Sequence, residues 1–356
     1  MKIFYIQNRK IIEKPTLLET FSYIFYYPTS LIGPSFEFAD FRKFINLEAE
    51  YKEIPMLKCL KHSLKQLSVA VFYQICFVAF LDKLNPHLVL TEDYSSKSFL
   101  YKFTFYMLST AFNIRAKYYS GFKMSEASVI FCGLSYEKKE VILGSIEKQD
   151  EAKTLKSSES NSILSNGYLN NEIKNNNFIT FEESFSKVNN MDILKFEFDV
   201  NPIAKINSWN VTVHKWLKYQ VFLRLINVEI KLFKNNKSLA SMITFLISAV
   251  WHGFYPVYYV LSIHFYMIEQ TSKTFEDKLL FFSKLRKKNF IIRYIFNFIL
   301  MGVICFLGMS FSLLTISNIF KFYSDFYFIP NAIVIILYFY SVYFIRKPRE
   351  NKIKDN

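Results

Sequence analysis

Long apolar runs alternate with basic segments along this chain. The longest covers residues 238–268, and its only groups that titrate near neutral pH are His252 and His264. A run of about 30 residues is roughly 45 Å long as one straight helix, against roughly 30 Å of hydrocarbon. It must tilt strongly or break, and Gly253 with Pro256 supply the place to break. Residues 64–81 read as a span, and 294–315 and 326–345 as two cleaner ones. Residues 99–114 form a weaker one, interrupted by Lys102, which a snorkelling lysine on a buried helix would reconcile. Residues 20–33 are aromatic and uncharged but short and interrupted by Pro28, the pattern of a re-entrant or broken segment.

Between the spans the pattern changes twice. Residues 137–188 are rich in Lys, Glu, Ser and Asn and sparse in apolar residues, so a disordered polar loop insertion outside the bilayer is expected. The stretch 196–202 that follows alternates polar and apolar residues and reads as an extended approach. After Asn210, residues Val213, Trp216, Leu217, Val221, Leu225, Val228 and Leu232 recur at three- and four-residue steps, with Lys215, Lys218, Arg224, Lys231 and Lys234 largely off that line. This is an amphipathic helix suited to the membrane interface. The pattern as a whole predicts an all-α, polytopic transmembrane bundle in a single domain, residues 1–356.

Composition adjusts this picture only slightly. The formal charge of +14 is dispersed between the apolar runs, which fits basic cytosolic loops better than a nucleic-acid surface. The basic residues Lys284, Arg286, Lys287, Lys288 and Arg293, and then Arg346, Lys347, Arg349, Lys352 and Lys354, put the 273–293 loop and the C-terminus in the cytosol. Lys352 and Lys354, five and three places from the end, match a dilysine retrieval signal of the endoplasmic reticulum. Cys59, Cys76, Cys132 and Cys305 have no metal or disulfide spacing and read as small buried hydrophobes. No metal site, Walker loop or dinucleotide motif is present in the sequence.

Candidate chemistry centres on His252, an imidazole at membrane depth beside a helix break. The competing reading is a histidine satisfied by a neighbouring helix. Asn210 begins the interfacial helix, where it also suits an N-cap. His214 lies four residues further on, on the same helical side, where a polar interface residue is the simplest account. His264 is expected to pack or hydrogen-bond, and Trp at membrane interfaces is ordinary.

Three blocks resemble the membrane-bound O-acyltransferase family, and its lysophospholipid acyltransferase branch in particular. They are Tyr27-Pro28-Thr29-Ser30-Leu31-Ile32-Gly33-Pro34 with downstream Asp40-Phe41, then Ser208-Trp209-Asn210 to Trp216-Leu217, and then 248–259 around Trp251-His252-Gly253. Lys123-Met124-Ser125-Glu126-Ala127, leading to Gly133-Leu134-Ser135-Tyr136, is a looser fourth. The resemblance implies an asparagine and a histidine facing an intramembrane chamber, carried here by Asn210 and His252. Trp209, Trp251, Tyr255, Trp216, Pro28, Gly33 and Glu126 are the candidate lining residues. Family members carry several spans before the first block, whereas about 20 residues precede it here. The chain is therefore expected to be an N-terminally incomplete or minimal form.

The implied reaction moves a long-chain acyl group from acyl-CoA, a co-substrate with no further cofactor, to the hydroxyl of a lysophospholipid taken from the bilayer. Such a transfer needs a base for the hydroxyl proton, and a neutral imidazole suits it. Asn210 is expected to donate to the developing oxyanion or to fix the histidine tautomer. The lysines of the interface helix and of the 273–293 loop suit CoA phosphates. The sterol and diacylglycerol branch, with an aromatic-Asp-Trp-Trp-Asn stretch, is disfavoured by Asn207-Ser208-Trp209-Asn210. Peptide O-acylation and a transporter with a broken helix are the alternatives.

Overall fold

A computed structural model describes residues 13–29, 32–145, 171–174, 177–228, 236–278 and 289–345. It is mostly helical. In chain order the first elements are α1 (Leu17–Ile24), α2 (Phe38–Ile45), α3 (Met56–Phe80), α4 (Glu92–Ser96), α5 (Phe99–Ser109) and α6 (Ala116–Phe131). Strands β1 (Glu137–Ser145), β2 (Asn171–Lys174) and β3 (Asn177–Ser184) follow. The remainder is helical again: α7 (Ile193–Phe198), α8 (Pro202–Ser208), α9 (Val211–Trp216), α10 (Leu223–Asn227), α11 (Lys237–His252), α12 (Pro256–Lys278), α13 (Phe290–Gly308), α14 (Ser310–Leu313), α15 (Ile316–Ser324) and α16 (Ile329–Tyr340). Among the described residues two helical stretches, Met56–Phe80 and Phe290–Leu313, are long and apolar enough to cross a membrane. A third is available if the pair Ile316–Ser324 and Ile329–Ile345, bent by 93°, forms one span.

The chain, expected as one domain, divides into two compact units, 1–68 with 124–189 and 69–123 with 190–356. In the first, aromatic residues hold the start of the chain. Phe41 is buried among the rings of Tyr23, Tyr26, Phe36 and Phe38, at centroid distances of 5.4–6.3 Å. Arg42 pairs with Glu19 at 2.9 Å. Beside Phe41, Asp40 lies 3.3 Å from the Lys187 ammonium, which also donates to Glu50 at 2.7 Å and to the Tyr51 hydroxyl at 2.9 Å. Burial alone would lower the Lys187 pKa, but Tyr51, Asp40 and Glu50 hold it above its ordinary value.

The polar stretch 137–188 departs from the expected disorder at both ends. β1 pairs antiparallel with β3, from Glu137 opposite Ser184 to Ser145 opposite Asn177, and β2 adds to the other edge of β3. Val141-Ile142-Leu143 and Phe178-Ile179 are short apolar runs that window composition averages away, and they become strands only through pairing across the intervening residues. Lys187 and the buried Val188 then anchor the C-terminal end. Residues 146–170 and 175–176 lie outside the described residues, as do Ser30, Leu31, residues 279–288 of the 273–293 loop and the tail with Lys352 and Lys354.

The second unit holds the larger core, built from α5, α6, α12, α13, α15 and the 3-10 turn Pro86–Leu90. Lys102 of α5 does not snorkel. Its ammonium meets Asp325 at 2.6 Å, with both side chains only 10% exposed. The apolar run 238–268 breaks where Gly253 and Pro256 predict, but it does not resume in the same direction. Ser238 bonds Tyr266 (2.8 Å) and Ser241 donates to Glu269 (2.5 Å), so α11 and α12 form an antiparallel hairpin with its tip at 253–255. Gly253 closes α11 at φ 129° and ψ −178°, a region that essentially only glycine occupies.

Two more expectations are corrected. Of the stretch 196–202 only the link around Asp199 and Asn201 is extended; residues 193–198 form a helix, because the Asp192 carboxylate caps the Lys195 N–H at 3.1 Å and Phe196 buries on the helical face. The interfacial helix is not a regular α-helix either. Residues Leu217–Phe222 form a π-helical turn between α9 and α10. Leu217 and Leu223, at the two ends of that wider winding, are buried, and Trp216, the last residue of α9 before it, is exposed.

Candidate active site

His252 is the last residue of α11, at the tip of the helical hairpin. Its ring is accessible and stands among aromatic neighbours: Trp251 at 4.9 Å, Phe311 at 5.3 Å and Tyr258 at 5.8 Å between centroids. Neither ring nitrogen has a hydrogen-bond partner among the described residues, so both are open to a ligand. Trp251 is 53% exposed, and Tyr255 reaches the same group through Tyr258, 5.8 Å away.

His264 behaves oppositely. Its Nδ1 lies 2.8 Å from the Val260 carbonyl, the arrangement of an N–H donor, which leaves Nε2 to accept from the Asn331 amide at 3.2 Å. The histidine satisfied by its neighbours is therefore His264, not His252.

Asn210 lies between α8 and α9 in the left-handed region, φ 46° and ψ 53°. Asparagine tolerates that region better than other residues with a Cβ. Its backbone carbonyl starts α9 by accepting from the His214 N–H at 2.9 Å, but its carboxamide makes no capping bond. The side chain has no hydrogen-bond partner among the described residues, so the N-cap reading accounts for the backbone alone.

The segment 190–192 runs beside this turn. Asn190, 1% exposed, takes the Val211 N–H on its carbonyl (2.8 Å) and the Thr212 hydroxyl on Oδ1 (2.8 Å). Asp192 N–H donates to the Ser208 carbonyl at 3.1 Å.

Trp209 anchors the same turn in an aromatic nest of Phe196, Tyr118, Phe122 and Tyr119, at 5.0, 5.6, 5.8 and 5.9 Å. Beneath it Lys205, fully buried, donates to the carbonyls of Phe196 (2.5 Å) and Glu197 (3.1 Å). Burial pushes its ammonium down to about 8, against the raising influence of Glu197 and Asp199. Tyr118 also meets Phe311 at 6.5 Å, so ring contacts connect Trp209 through Tyr118 and Phe311 to His252.

The remaining candidates separate from this group. Trp216 is 43% exposed and has none of these ring contacts. Pro28, Gly33 and Glu126 belong to the other compact unit, where Glu126 is buried and Gly33 adopts φ 89°. His214 is half-buried on α9. Burial pulls its imidazole below the ordinary value, Glu269 works against that shift, and Lys218 and Lys273 add to it. Sequence reasoning missed Asn190 and Phe311. Asn190 is one of many asparagines closing a polar stretch, and Phe311 is one apolar residue in a span; neither carries a signal of its own.

A mostly helical chain with membrane-length helices thus carries a histidine at a helix break and an asparagine in a left-handed turn, neither side chain hydrogen-bonded among the described residues. The chain belongs to the membrane-bound O-acyltransferase family, whose model matches residues 5–313. It is 28% identical over 272 residues to a lysophospholipid acyltransferase of Saccharomyces cerevisiae, covering 71% of this chain and 37% of that protein. A lysophospholipid acyltransferase of Schizosaccharomyces pombe is 25% identical, with 76% and 46% covered. Human lysophospholipid acyltransferase 5 is 23% identical, with 96% and 62% covered. The chain thus spans between about a third and two thirds of the length of these relatives.

Proposed function

We propose that this protein transfers a long-chain acyl group from acyl-CoA to the free hydroxyl of a lysophospholipid, with His252 as general base. The observation that carries the reading is the His252 ring, held at the tip of the α11–α12 hairpin by aromatic neighbours, with neither nitrogen hydrogen-bonded among the described residues. Family membership and the names of the yeast relatives support the acyl-transfer chemistry and the lipid acceptor.

His252 takes the hydroxyl proton as the lysophospholipid oxygen attacks the thioester carbon. The carbon–sulfur bond then breaks, and the imidazolium returns the proton to the departing CoA thiolate. A positioned base of this kind contributes roughly 10²–10⁴-fold. The Asn210 carboxamide donates to the oxyanion as it develops. The enzyme works in the endoplasmic-reticulum membrane with its C-terminus in the cytosol, where acyl-CoA is met, and the lysolipid enters from the bilayer.

Microsomes carrying the protein, supplied with a panel of lysophospholipids and acyl-CoAs, test the proposal. His252→Ala is expected to lower turnover by at least about 100-fold. Asn210→Gly keeps the left-handed backbone without strain and removes only the carboxamide, so it is expected to lose activity while folding normally. A near-normal rate in His252→Ala sinks the base assignment; a near-normal rate in Asn210→Gly reduces Asn210 to a turn residue.

A further inference from the structure

We infer that Asn190 is a positioning residue for Asn210, acting through a short strap that fixes the 208–212 turn. The inference rests on the catalytic reading of Asn210 given above. Four hydrogen bonds define the strap. On the C-terminal side of Asn210, the Asn190 carbonyl accepts from Val211 N–H at 2.8 Å, and its side-chain oxygen accepts both the Thr212 hydroxyl at 2.8 Å and the Thr212 N–H at 3.4 Å. On the N-terminal side, Asp192 N–H donates to the Ser208 carbonyl at 3.1 Å. Residues 190–192 therefore run antiparallel beside 208–212, and Trp209 and Asn210 are the two residues left between the fixed points.

The strap is itself braced. Lys123, a buried residue of α6, donates its ammonium to the Met191 carbonyl at 2.6 Å. Met191 is fully buried and Asn190 nearly so, which leaves water little access to compete for these bonds.

The physical need for a strap follows from the backbone of Asn210. At φ 46° and ψ 53° the residue sits where a side chain with a Cβ is disfavoured, and such a conformation persists only when its surroundings over-determine it. Backbone direction decides where the Cβ points. Bonds to Ser208, Val211 and Thr212 on both flanks hold that direction without using the Asn210 carboxamide, which keeps its donor and acceptor for substrate. Asn190 thus fixes this turn from outside by hydrogen bonds, through an oxygen shared by both donors of Thr212, beside the ring packing that holds Trp209.

Steady-state kinetics of three variants in microsomes, with acyl-CoA and lysophospholipid each varied, test this. Asn190→Ala is expected to lower kcat by on the order of 100-fold, the scale of an approximately 1 Å misplacement of a reacting group, with both KM values within about two-fold of wild type. Thr212→Val keeps the shape but removes the hydroxyl, and is expected to lower kcat in the same way by about ten-fold or less, as the loss of one hydrogen bond predicts. Thr212→Ser keeps the hydroxyl and is expected to restore kcat.

If Asn190→Ala fails to fold, the Thr212 pair decides alone. Wild-type kcat in Asn190→Ala or Thr212→Val overturns the inference, as does a loss of kcat that Thr212→Ser shares. Asn210→Gly separates the two readings. Should it be inactive while Asn190→Ala is active, only the strap is wrong; should it be active, the catalytic assignment of Asn210 fails and the strap with it.

Discussion

At the scale of single residues, the histidines show what a sequence can rank and what it cannot. His252 stood out because it lies beside Gly253, and among the described residues its nitrogens have no hydrogen-bond partner, where those of His264 are both engaged. The left-handed backbone of Asn210 was not legible, because it depends on pairing with residues about 20 positions earlier, just past the polar stretch 137–188, that carry no pattern of their own. His214 adds a pH dependence. Its folded pKa is depressed, chiefly by burial, so the folded state binds fewer protons than the unfolded one below the ordinary histidine value of about 6.5. His214 therefore costs no stability above that value, and stability falls as pH drops through it towards the folded pKa. The thermal midpoint of the purified protein in detergent is expected to fall between pH 7 and pH 5, and His214→Gln to flatten the fall. An unchanged slope in the variant places the sensitivity elsewhere.

At the scale of elements, local pattern located the helices and long-range pairing decided their details. The break at Gly253 and Pro256 was readable, since glycine and proline act on their own backbones, but the reversal into a hairpin needed the contacts from α11 to α12. The π-helical turn at Leu217–Phe222 was invisible to a 3.6-residue template, because it is one extra residue in a winding that the template holds constant. Lys102 was read as snorkelling because its partner, Asp325, is more than 200 residues away. That pair gives an element-scale prediction. With both side chains almost enclosed, removing one partner strands a buried charge at a cost of about 3–5 kcal/mol, whereas replacing both with apolar residues is close to neutral. Thermal unfolding is expected to show Lys102→Met strongly destabilised and Lys102→Met with Asp325→Leu largely recovered. Equal loss in the two would mean that the ion pair does not connect α5 to the chain between α15 and α16.

At the scale of the whole molecule, the order of motifs gave the family and the basic segments gave an expected orientation, while the interleaving of two compact units had no sequence signal, because each is assembled from separated stretches. Orientation turns on the last two apolar stretches. Phe290–Leu313 is long enough to cross, and the bent pair of α15 with Ile329–Ile345 turns by 93° at Tyr327 and Phe328, both with positive φ. If Ile329–Ile345 crosses, two crossings separate the basic 284–293 segment from the basic tail, and both face the cytosol as the positive-inside rule requires. If instead the bent pair is re-entrant, only one crossing separates them and the two basic segments lie on opposite faces, with one set of five basic residues in the lumen. The first arrangement is expected, because it leaves neither cluster exposed to translocation. Single cysteines placed near 286 and near 350 in a background without reactive cysteines, labelled in sealed microsomes by an impermeant maleimide, measure this directly. Labelling of both without permeabilisation supports two crossings, and protection of either one until detergent is added makes the α15–α16 corner re-entrant.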